Sequence, residues 1–91
     1  MIEVDVIDLI EAGEALIDQG NTRQAYSKFK EALELAPEDP QLYNRLGMLE
    51  MSRGQPAKAQ PHFEEACQLA PDVSRYHMRL GDSLQRLEKF E

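Results

Sequence analysis

The side chains best suited to hold a metal ion in this chain are His62, Cys67 and His77. A zinc centre needs three or four such donors converging on one point. Adjacent helices could bring these three together, but Cys67 takes the place that Leu33 holds in an earlier repeat, which reads as a packing position. A core cysteine and two surface or half-buried histidines are therefore expected. Ser74, His77 and Asp82 have the residue types of a nucleophile, base and orienting acid. Nothing in the local sequence positions them as one. The paired acids Glu64 and Glu65 read as a solvated face. The chain has no glycine-rich loop after a strand, no H-E-x-x-H and no C-x-x-C. No catalytic residue, cofactor or metal is expected, and the chain reads as a non-enzyme.

Ninety-one residues allow one small domain. A domain of this size buries only about 60% of its unfolded surface, or slightly more. The formal charge of −7 argues against a nucleic-acid binder, whose mark is a basic patch. That charge is uneven. Residues 1–39 hold ten acids and three bases, residues 40–73 four and three, and residues 74–91 three and four. An acidic beginning and a mildly basic end either orient a charged partner or keep the surface solvated. One cysteine excludes an internal disulfide and fits a reducing compartment. No apolar run approaches the roughly 20 residues that span a bilayer, so no membrane partner is expected. The opening "MIEVDVIDLIE" carries acids where a secretory signal carries bases. The expected location is cytoplasmic, or periplasmic if a signal has been removed.

What must position any functional side chain is a repeat. Residues 6–39 align with residues 40–73, and nine positions are identical. These are Gly13/Gly47, Gly20/Gly54, Ala25/Ala59, Phe29/Phe63, Glu31/Glu65, Ala32/Ala66, Leu35/Leu69, Ala36/Ala70 and Pro37/Pro71. "RLGD" at 79–82 then echoes "RLGM" at 45–48, placing Gly81 on the same beat. Within each unit the apolar spacing is helical, as in Leu9, Ala12, Gly13 and Leu16, then Ala25, Phe29, Ala32 and Leu33. Leu42, Leu46 and Leu49, then Ala59, Phe63 and Ala66, repeat the pattern. Glycine and proline punctuate it. Five helices are predicted, near 4–19, 22–35, 40–53, 56–69 and 73–87. The loops are short enough to make neighbours antiparallel. Mid-helix glycine costs roughly 1 kcal/mol against alanine. Close approach of a partner helix, with Phe29 or Phe63 packed nearby, offsets that cost at Gly13 and Gly47.

This pattern resembles the tetratricopeptide repeat family, a 34-residue helix–turn–helix unit with Leu-Gly, Ala, Phe and Pro landmarks. The resemblance covers residues 6–91 and implies an all-α solenoid, a right-handed superhelix of antiparallel helix pairs. It divides the single domain 1–91 into repeat 1 (6–39), repeat 2 (40–73) and a partial repeat 3 (74–91). Three positions depart from the pattern: Leu9 and His77 stand where an aromatic is frequent, and Glu50 where a bulky apolar residue is usual. Pro61 lies inside the fourth helix and should disturb a hydrogen bond and kink its outer face. Phe90 matches the apolar residue of a next helix, so the chain is expected to be a segment of a longer repeat protein.

The resemblance also implies a protein–protein interaction module, an adaptor or scaffold, in which first helices line a concave groove for a peptide or helix. The face opposite the packing stripe supplies that lining. In the first helix it is Ile10, Glu14, Ile17 and Asp18. In the third it is Asn44, Arg45, Met48, Met51 and Ser52, and in the fifth Arg75, Met78, Arg79, Asp82 and Gln85. The expected partner-binding residues are Asn44, Arg45, Met48, Met51, Arg75, Met78, Arg79 and Asp82. Methionine thioethers adapt to varied surfaces, and arginines pair with carboxylates. A second reading is a regulatory or substrate-recruiting segment of a larger enzyme. A third is co-chaperone-like capture of acidic C-terminal peptides. Arg75 and Arg79 match one part of the clamp this uses, while Ile10, Glu14 and Arg45 depart from the rest. Self-association is expected through open solenoid ends, for example an edge of Ile2, Val4, Val6, Ile7 and Ile10.

Overall fold

A computed structural model describes residues 5–89. Ile2, Val4 and Phe90, named above for self-association and for a next helix, lie outside the described residues. Five helices account for the described structure, with no strand among these residues: α1 (Val6–Asp18), α2 (Thr22–Leu35), α3 (Pro40–Ser52), α4 (Pro56–Leu69) and α5 (Ser74–Lys89). Against the expected ranges, α1 starts slightly later, α1 and α3 each end one position earlier, and α5 is shifted slightly toward the end of the chain.

Local sequence explains each boundary. Asp5 caps α1, its carboxylate accepting from the Asp8 amide at 2.9 Å. Asp39 caps α3 in the same way through the Gln41 amide at 3.0 Å. Pro40 and Pro56 take first-turn positions, where no amide hydrogen is needed. The helices α1 and α3 end in one motif. Gly20 has φ of 82° and Gly54 φ of 72°. The Gly20 and Asn21 amides donate to the Ile17 and Leu16 carbonyls at 2.9 and 2.8 Å. The Gly54 and Gln55 amides donate to Met51 and Glu50 at 3.0 and 2.8 Å. This crossed pair is the Schellman arrangement, and its left-handed residue favours glycine. The helices α2 and α4 stop at Ala36 and Ala70, each before a proline that pushes its predecessor out of helical geometry. Pro61 is exposed and α4 runs through it without a break.

The chain divides into two compact units between Glu38 and Asp39, just before the start of repeat 2. In the first, α1 packs on α2. A Cβ added at Gly13 would lie 2.7 Å from Cε1 and Cζ of Phe29. Ala25, Phe29 and Ala32 have no exposed surface. The second unit repeats the device between α3 and α4, where a Cβ on Gly47 would lie 2.5 Å from Cε1 of Phe63. Ala59, Phe63 and Ala66 are again buried, as are Leu42, Leu46 and Leu49. The helix α5 then packs on α4 through a cluster of Ala66, Cys67 and Tyr76, with Tyr43, Ala70, Val73 and Leu80 against it. A guanidinium nitrogen of Arg86 donates to the Met51 carbonyl at 3.4 Å, joining α5 to α3.

Candidate functional site

Within the second unit, α3 and α5 leave a trough between them. Its first part, about 350 Å³, is lined by Gln41, Asn44, Arg45, Met48, Arg75 and Arg79. A second hollow of about 130 Å³ continues it, lined by Met48, Met51, Phe63, Arg79, Asp82 and Arg86. Met48 and Arg79 belong to both. Helical spacing explains the stripe. On α3 the lining residues run from Gln41 to Met51, and on α5 from Arg75 to Arg86, chiefly at steps of three and four.

Of the eight residues predicted to bind a partner, the structure brings seven to this trough: Asn44, Arg45, Met48, Met51, Arg75, Arg79 and Asp82. Met78 is not among them; its side chain is 69% exposed on another face of α5. Gln41 and Arg86 were not predicted. Both lie one helical step from predicted residues, Gln41 before Asn44 and Arg86 after Asp82. Extending the stripe would have found them. The residues named on α1 belong to the first unit, where Ile10 and Glu14 are half-buried and Ile17 and Asp18 exposed.

Four guanidinium groups and one carboxylate line the trough, in a chain whose formal charge is −7. Arg75 lies over the Tyr76 ring at 5.5 Å from its centroid. This cation–π contact orients the guanidinium. Asn44 is buried. Its amide nitrogen donates to the Met48 sulfur at 3.5 Å. Among the described residues its carbonyl oxygen Oδ1, and Nε of Arg79, have no hydrogen-bond partner. An unpaired buried polar atom costs roughly 1–3 kcal/mol. Met48 is 40% exposed. It gives the floor a flexible apolar surface.

The other chemistry-bearing residues are placed elsewhere. His62 Nδ1 forms a short contact with Oε1 of Glu50, which is buried against α4, and the Tyr43 ring lies 6.4 Å away. The polar residue at a position usually apolar thus has a partner across the helix pair. His77 donates through Nε2 to the Pro71 carbonyl at 2.9 Å. Cys67 is buried; its surroundings, and secondarily Glu64, push the thiol above its ordinary pKa. Burial and then Glu65 raise the Tyr43 phenol likewise. No group of three or more histidine, cysteine or acidic residues among the described residues is arranged to hold a metal ion. None of the described helices is long and apolar enough to cross a membrane.

A family model described as the tetratricopeptide repeat matches residues 16–81. The chain belongs to the tetratricopeptide repeat family. Its solved neighbours agree in fold. The Sgt2 TPR domain from Aspergillus fumigatus superposes with a TM-score of 0.85 at 24% identity, over 93% of this chain and 56% of that one. A structure of PilF from Pseudomonas aeruginosa gives 0.80 at 24% identity, over 94% and 40%. The chain thus spans about half the length of these neighbours. No curated protein sequence gives a significant match. The fold is the all-α solenoid type of the tetratricopeptide repeat. Repeats of this family are in general non-catalytic protein–protein interaction modules.

Proposed function

We propose that this tetratricopeptide repeat chain binds an acidic segment of a partner protein in the α3/α5 trough. The observation that supports the reading is the charge reversal: Arg45, Arg75, Arg79 and Arg86 line one trough in which Asp82 is the one acid among the described lining residues, in an acidic molecule. Guanidinium groups recognise carboxylates through paired, charge-assisted hydrogen bonds. Met48 and Met51 pack against the apolar side chains of the guest. The module acts as an adaptor or scaffold.

Labelled peptides of matched length, one acidic, one neutral and one basic, test this by titration. The acidic peptide is expected to bind and the others at least tenfold more weakly. Met48→Glu, on an exposed position, should abolish that binding and leave the helical circular dichroism intact. Equal affinity for the three peptides, or unchanged binding by Met48→Glu, overturns the reading. The co-chaperone-like variant, capture of an acidic C-terminus, requires the terminal carboxylate. Amidating the acidic peptide separates the two: unchanged affinity excludes terminal capture.

A further inference from the structure

Met48 and Arg79 are the two residues that line both hollows of the trough. Met48 brings a thioether there, a soft and polarisable group. Its sulfur has two lone pairs, and one of them accepts from Nδ2 of Asn44 at 3.5 Å. Asn44 is buried, whereas Met48 is well exposed. The amide thus backs the sulfur from the buried side and leaves the second lone pair toward the open trough. Oxidation turns such a flexible apolar side chain into a polar, chiral sulfoxide, which dedicated reductases return to methionine. Two other methionines supply the contrast. Met51 lines the second hollow alone and is half-buried. Met78 is more exposed than Met48 but stands outside the trough.

We infer that Met48 is a site of reversible methionine oxidation, and that its sulfoxide closes the trough to a guest. The effect on a guest rests on the trough reading; the chemistry at the sulfur does not. The oxidant is a hydroperoxide. The open lone pair attacks its terminal oxygen, an S–O bond forms as the O–O bond breaks, and the sulfur gives up two electrons. The proton on the transferred oxygen passes to the departing one, which leaves as water or an alcohol. Because Asn44 holds the first lone pair, one sulfoxide epimer predominates, with its oxygen over the trough. That oxygen is a strong acceptor, and the Arg79 guanidinium, which shares both hollows with Met48, donates to it. A guest therefore loses a donor for its carboxylate and an apolar floor for its side chains.

The test treats the isotope-labelled 91-residue chain with hydrogen peroxide. Mass mapping follows each methionine, nuclear magnetic resonance follows the Arg79 Nε–H signal, and anisotropy follows the acidic peptide. Met48 is expected to convert alongside Met78; a Met48 that stays reduced once Met78 is fully oxidised overturns the inference. The Arg79 signal should move with oxidation of the chain and of Met78→Leu, and stay in place in Met48→Leu. A signal that ignores Met48 oxidation overturns it as well. The oxidised chain should bind the acidic peptide at least tenfold more weakly. Of the two methionine sulfoxide reductases, each specific for one epimer, one alone should restore that affinity. Equal repair by both overturns the directing role of Asn44. In Met48→Leu, peroxide should leave the affinity at its own starting value. A tenfold loss that persists there places the switch on another residue and overturns the assignment. An untreated chain with no preference for the acidic peptide fails the trough reading by itself, and mass mapping and the Arg79 signal still decide the oxidation.

Discussion

Gly47 shows how one missing atom fixes a helix pair. The Phe63 ring occupies the volume that a side chain at 47 would need, and Phe63 is itself buried, so it has little room to swing aside. Gly47→Ala recovers roughly 1 kcal/mol of helix propensity but forces an overlap of the kind that costs roughly 1–3 kcal/mol. A net loss of up to about 2 kcal/mol is expected, measured as a lower urea midpoint at constant slope. An unchanged midpoint would mean that the ring yields freely. The glycine–phenylalanine pairing was legible in the sequence because the repeat displays it twice. The Glu50–His62 contact was not. The two lie on different helices, and the repeat marked Glu50 at a usually apolar position without naming His62 as its partner. Only the pairing of α3 with α4 places Glu50 inside, where burial of a charge demands a partner.

At the scale of the element, boundaries were read nearly to the residue. Glycine ends α1 and α3, while proline opens α3 and α4 and halts α2 and α4, and the two repeats share most of these stops. Pro61 is the exception. It removes one backbone bond inside α4, yet the helix persists because packing of Ala59, Phe63 and Ala66 holds it. Since Pro61 is exposed, Pro61→Ala should restore the bond without disturbing the core. Proline costs about 3 kcal/mol in a helix interior, and near the start of α4 part of this is expected back, about 1–3 kcal/mol. Thermal melts of the variant check it; a lower melting temperature would show that the proline has a packing role. The helix α5 marks where spacing alone falls short. Its residues follow one period, but which arc faces α3 depends on how α5 is rotated against α4. Met78 and Arg86 exchange roles for that reason: the first stands outside the trough and the second inside.

At the scale of the molecule, charge is the dominant non-local property. Sequence showed the imbalance between beginning and end, and the fold lines one trough with Arg45 and with Arg75, Arg79 and Arg86 of the last segment. Binding of an acidic peptide there should weaken markedly as salt rises, since the screening length shrinks from about 10 Å at 0.1 M to about 3 Å at 1 M. Titration at those two concentrations is expected to show at least a tenfold loss of affinity. Salt-independent binding would assign the affinity to Met48 and Met51 instead. The family and its all-α repeat architecture were legible because the repeat period survives even where most side chains differ. What fills the trough was not, because stacking requires only the small and aromatic landmarks and leaves the lining free to vary.

Cys67 has a practical consequence. It is the sole sulfhydryl, its thiol is held protonated by its surroundings, and Tyr76 of α5 shares its cluster. Parting of α4 and α5 is therefore expected to speed its reaction with an alkylating reagent. The rate of thiol loss then reports how readily that seam opens, without a dye or an engineered label.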